Sequence, residues 1–159
     1  MKRLRIESYV LAAVSIVLSI VAVGFSIYVF FGGRRRYKRD LFLKIHQLLI
    51  GEAQYRGRQL LNSRKFTDEA DILSLKPEER RNISLAIGSF DTLGLYLRHG
   101  YLYKADVMGM WGDPALRAWR AAAPFIARRK RLSGTTAYPY FEYLVREAEG
   151  YLDTHKPGA

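Results

Sequence analysis

Hydrophobic and polar positions divide the chain sharply. Tyr9 to Phe31 is an uncharged run of 23 residues, 14 of them Val, Ile, Leu or Phe. Basic residues border it, with Lys2, Arg3 and Arg5 before it and Arg34, Arg35, Arg36, Lys38 and Arg39 after it. As a helix rising ~1.5 Å per residue the run is roughly 34 Å long, enough for a ~30 Å hydrocarbon core with some tilt. At about −0.3 to −0.6 kcal/mol per central apolar residue, its insertion is favourable by several kcal/mol. A buried core helix is the competing reading, and an uncharged run of this length weighs against it. A cleaved signal peptide fits the basic start, but the apolar run exceeds the usual ~7–15 residues and no small-x-small site follows. The pattern therefore predicts a retained anchor in the lipid bilayer. The heavier basic flank follows the run, which places the C-terminal part in the cytoplasm and the chain in the inner membrane.

From Asp40 onward the apolar spacing is helical. Leu41, Ile45, Leu48 and Leu49, then Leu60 and Leu61, predict a helix that Gly51 and Gly57 weaken or divide. The anchor helix is expected to run towards it, interrupted at Gly32-Gly33. Lys65 to Lys76 reads as a loop with one turn of helix. Pro77 with Glu78 and Glu79 starts a helix, since Pro suits the first position and acids suit the positive dipole end. Ile83, Ala86, Ile87, Phe90, Leu93 and Leu97 make its apolar face, and Gly100 stops it. Tyr101 to Met110 reads as a short connecting helix, and Asp113-Pro114 as the cap and first residue of another. Pro124 should kink that helix or end a segment, and Gly134 should close it. A last helix opens at Pro139 and carries Phe141, Leu144, Val145, Ala148 and Leu152 on one face. No alternating strand and no repeat is visible.

The fold class is thus all-α, a single N-terminal transmembrane helix followed by a small cytoplasmic bundle of four to six helices. Residues 1–33 form the tail and anchor, 34–39 a basic linker, 40–153 the helical domain and 154–159 a tail. Charge changes meaning against this division. The 159 residues carry 26 Lys and Arg against 15 Asp and Glu, a net charge of +11. Eight of the basic residues and one acid lie in 1–39, leaving 18 basic and 14 acidic residues, net +4, in 40–159. About two thirds of the excess charge thus marks topology, not nucleic-acid binding. The absence of Cys excludes a disulfide scaffold, a Cys-ligated zinc and a thiol nucleophile.

Two stripes are candidate contact surfaces. Ala12, Ser15, Ser19, Ala22 and Ser26 recur at spacings of 3 and 4, on one face of the span. Small residues let membrane helices approach closely, so this face suits docking to another helix, of the same chain or a partner. The competing reading is the ordinary abundance of Ala and Ser in membrane helices. Arg117, Arg120, Arg128 and Arg131 fall within about 60° of one another at ~100° per residue. Together with Arg34–Arg39 they can face anionic lipid, nucleic acid being less favoured, or serve as a solvated helix face.

Phe90, Asp91, Leu93, Gly94, Gly100, Tyr101, Asp106, Trp111, Gly112, Leu116, Trp119 and Pro124-Phe125-Ile126 form a further pattern. It resembles an uncharacterised bacterial family of membrane-anchored helical proteins, a domain of unknown function. The diagnostic part is 90–126, and Gly-Met-Trp-Gly-Asp-Pro departs from the longer aliphatic text common there. The resemblance implies the architecture and supplies no catalytic residues. Physically, Phe90, Gly94, Gly100, Trp111, Asp113 and Trp119 read as packing and capping residues: Gly94 for close helix approach, the tryptophans for the meeting point of two helices. His46, His99 and His155 share no metal-ligand spacing, and Ser133-Gly134-Thr135-Thr136 has no partnered base. No catalytic site, metal or cofactor is expected. The expected role is a membrane-anchored interaction protein, an accessory or scaffold subunit, with an anionic-surface-binding module as the alternative.

Overall fold

The computed structural model describes residues 2–67, 69–134 and 136–154, and within the first helix it omits the side chains of 2–14, 27 and 30–35. The side chains of Lys2, Arg3, Arg5, Ala12, Arg34 and Arg35, together with Thr135 and the tail from His155, therefore lie outside the described residues. The described chain is all-helical. Its elements are α1 (Lys2–Ile50), α2 (Glu52–Ser63), α3 (Glu69–Ser74), α4 (Pro77–Arg98), α5 (Lys104–Ser133) and α6 (Pro139–Thr154). Two compact units are present, Met1–Arg39 and Asp40–Ala159. Among the described residues no helix is long and apolar enough to cross a membrane. In the first unit the described apolar side chains, from Ile16 to Val29, are exposed.

In the second unit α4 is central. It packs against α2 and α6, and α5 packs against α6. Its ends follow from its sequence. The Glu79 carboxylate accepts the Lys76 N–H at 2.8 Å, Pro77 takes the first turn, and two acids face the dipole. Gly100 ends it at φ +69°, while the Tyr101 N–H reaches back to the Tyr96 carbonyl at 3.0 Å. Ile83, Ala86, Ile87, Phe90 and Leu93 are buried along its inner face. The predicted loop with one turn of helix before it is α3, and Gly134 ends α5 at φ +64° as expected.

Four local expectations are corrected. The connecting helix at Tyr101–Met110 and the helix from Pro114 are one helix, α5, with Pro114 and Pro124 inside it. An internal Pro costs about 3 kcal/mol through a lost hydrogen bond and a clash. Trp111, Gly112, Ala115, Leu116, Ala118 and Ala122 are buried on both sides of Pro114, and that packing holds the segment together. Asp113 is consequently no cap but an exposed mid-helix carboxylate 2.7 Å from Arg117. Gly32 and Gly33 lie inside α1. Gly57 lies inside α2, and only Gly51 divides, as the residue preceding α2. A Cβ at Gly57 would lie 2.1 Å from the Asn82 carbonyl oxygen, so this glycine permits the α2–α4 approach.

Candidate functional site

An aromatic cluster fills the centre of the second unit. Phe90 stacks on Phe141 at 5.0 Å, and Trp111 meets Phe90 edge-on at 6.2 Å. Trp119 meets Phe141 edge-on at 5.0 Å. These arrangements match the preferred aromatic geometries and bind α4, α5 and α6 together. Trp111 is buried, whereas Trp119 is half-buried against the core. Phe90 and Trp111 thus lie in the core, and Trp119 packs at its edge.

Gly94 sits where α4 meets α6. A Cβ there would lie 1.9 Å from the Tyr140 carbonyl oxygen, which only glycine avoids. Three residues earlier, the Asp91 carboxylate accepts the N–H groups of Tyr140 and Phe141 at 3.0 and 2.9 Å. Asp91 therefore caps α6 from another helix. Sequence reasoning missed this role, although a signal existed. Pro139 starts α6 with no Ser, Thr, Asp or Asn in the two preceding positions, leaving the first-turn donors to a remote acceptor.

A second cluster ties the end of α1 to α2 and α5. The His46 ring lies 5.6 Å from Trp111, and the Arg58 guanidinium lies 5.4 Å above the Trp111 ring. Arg58 also donates to the Leu49 carbonyl, placing a cation at the negative end of α1. Burial lowers the Arg58 pKa, with Tyr55 opposing that effect. His46 Nδ1 and Trp111 Nε1 are buried without hydrogen-bond partners. His99 is exposed at the end of α4 and faces Tyr101 at 6.1 Å. Among the described residues, no group of three His, Cys, Asp or Glu can hold a metal ion.

The arginine stripe of α5 is only partly available. Arg117 pairs with Asp113, and Arg128 and Arg131 each donate to one Glu69 oxygen at 2.8 Å. Two stripe arginines thus clamp α3 onto α5. Those hydrogen bonds, Arg128 first, hold the Glu69 carboxyl below the usual range. Arg120 is exposed with no ion pair among the described residues. In the first unit, Ser19 and Ser26 donate to the carbonyls of Ser15 and Ala22 at 2.9 and 2.8 Å, satisfying both hydroxyls within the helix. Arg36 and Arg39 are exposed and Lys38 is half-buried.

The helix order, the glycine contact at 94 and the aromatic cluster all lie in the stretch covered by one family model, which matches residues 11–148. The chain belongs to the DUF4760 family, described as a domain of unknown function. Searches of curated proteins and of solved structures gave no match. The DUF4760 match covers the diagnostic segment 90–126 and extends well beyond it, from inside the uncharged run to α6.

Proposed function

We propose that this DUF4760 protein is a single-pass protein of the bacterial inner membrane. Its helical domain is cytoplasmic and acts as an accessory or scaffold subunit of a membrane complex or homo-oligomer. The observation that carries the reading is the surface of the first unit. Every described large apolar side chain from Ile16 to Val29 is 53–76% exposed. Nothing in water covers such a surface without association, whereas lipid or another membrane helix does. The serine hydroxyls bonded within the helix suit the same setting, because a free polar group in hydrocarbon costs several kcal/mol. The family match starts at residue 11, so most of the uncharged run is part of the family unit. Orientation rests on the five basic residues after the run against three before it.

The test is alkaline carbonate extraction of membranes containing the full chain, followed by purification in mild detergent. The chain should stay with the membranes and carry a stoichiometric partner or a second copy. Ser19→Leu with Ala22→Leu should reduce that association. Release into the carbonate supernatant overturns the anchor, and a monomer unaffected by both substitutions overturns the docking stripe.

A further inference from the structure

Beside α3 the second unit holds a cleft of about 130 Å³ whose polar rim is basic. Arg80 and Ser84 come from one face of α4, Arg128 and Arg129 from α5, and Tyr138 from the turn before α6. The floor is apolar, formed by Ile72, Ile87 and Phe125. The spacing explains the convergence. Arg80, Ser84 and Ile87 sit at i, i+4 and i+7, and Phe125, Arg128 and Arg129 at i, i+3 and i+4, so each helix turns one mixed face to the cleft. Phe66 packs edge-on against Phe125 at 4.9 Å and fixes the floor. Tyr138 holds φ +57°, a strained value for a non-glycine residue. The start of α6 holds it there, with the Glu142 N–H on the Tyr138 carbonyl and Asp91 capping the next turn.

The cleft gathers three guanidiniums, two of them without a carboxylate partner among the described residues. Arg56, Arg64, Arg117, Arg128 and Arg131 all have carboxylate partners. Among the described residues, Arg80 and Arg129 have none and no carboxylate lines the cleft. The nearby Glu69 has each oxygen bonded to an arginine already. Burial raises the Tyr138 pKa, with Arg129 opposing and the Asp91 carboxylate adding to the rise, so the phenol is a neutral donor at physiological pH. Two guanidiniums, two hydroxyls and an apolar floor make a donor-rich, acceptor-poor pocket. At ~30 Å³ per water the volume equals roughly four waters, the size of one tetrahedral anion with a short substituent.

From this we infer that the cleft is a binding site for a phosphate monoester or phosphodiester group, held by Arg80 and Arg129 with Ser84 and Tyr138 completing the contacts. The inference goes beyond the anchored scaffold and does not depend on it. The phosphate can belong to a soluble metabolite or to a lipid headgroup, the chemistry recognised being the same.

The experiment is calorimetric titration of the full chain in neutral detergent with inorganic phosphate, glycerol phosphate and short-chain phosphatidic acid. Saturable, salt-sensitive binding tighter than about 1 mM is expected for at least one of them. Arg80→Gln with Arg129→Gln should weaken it by about tenfold or more, and Arg120→Gln, outside the cleft, should leave it unchanged. Ser84→Glu is the second variant. It keeps every arginine, pairs with Arg80 one turn away and so occupies the cleft with a tethered carboxylate, which should abolish binding in a chain that melts normally. Binding of phosphate and glycerol phosphate assigns a soluble ligand, and binding of the short-chain lipid alone assigns a headgroup. No binding of any probe, or equal binding by the arginine and Ser84 variants, overturns the proposal.

Discussion

Two glycines of α4 have opposite meanings although the sequence gives them the same cost. Mid-helix glycine is worse than alanine by about 1 kcal/mol. At Gly88 nothing lies within 4 Å of a Cβ, so Gly88→Ala should recover part of that cost and raise the melting temperature by a few degrees. At Gly94 the same methyl would sit 1.9 Å from the Tyr140 carbonyl oxygen, a backbone atom that can move only if α6 moves. Overpacking typically costs about 1–3 kcal/mol, and a backbone clash belongs at the upper end. Gly94→Ala should therefore lower stability by about 3 kcal/mol, read by urea unfolding. A stabilised Gly94→Ala would mean that α4 and α6 do not meet there. Periodicity places Gly94 on the inner face, next to Phe90 and Leu97. It places Asp91 there only as a polar neighbour, because the partner that gives Asp91 its role is far away in sequence.

At the scale of elements, the ends of helices were legible and their mergers were not. Pro77, Gly100, Gly134 and Pro139 act on their own neighbours, and each marks a helix boundary in the structure. Pro114 also signals a start, but burial on both sides of it overrides the local preference, and no local pattern reports that balance. The start of α6 depends on Asp91. Asp91→Ala should cost about 1–2 kcal/mol, the range for a lost N-cap, and Asp91→Asn should restore most of it because the amide oxygen still accepts. Equal stability of the native chain and the Asp91→Ala variant in urea would remove the capping role. The attachment of α3 to α5 depends on Glu69. Its pKa is lowered in the folded chain, chiefly by the hydrogen bond from Arg128. Its stabilising contribution is therefore complete above the ordinary glutamate pKa and is lost as pH falls through the lowered native value. Amide exchange in α3 should accelerate across that acidic range, and Glu69→Gln should show the faster exchange already at neutral pH.

For the whole molecule, the sequence's sharpest feature and its least informative one change places. The uncharged run is plain in one dimension, because its signal consists only of length and lack of charge. The basic cleft is invisible there, since Arg80 and Arg129 stand 49 positions apart and only the α4–α5 packing brings them to one rim. The α5 stripe is regular in spacing, yet a single carboxylate from another element, Glu69, engages two of its four arginines. The two units also differ in what holds them. The core of the second begins at Ile45 and runs to Ala148, drawing every buried apolar side chain from Asp40 onward. Residues 40–159 carry a net +4 and about 120 positions, within the usual range for a domain that folds alone. Expressed without the first 39 residues, this segment should melt cooperatively within a few degrees of the full chain in detergent, followed by far-UV circular dichroism. A non-cooperative or much earlier transition would show that the first unit stabilises the bundle.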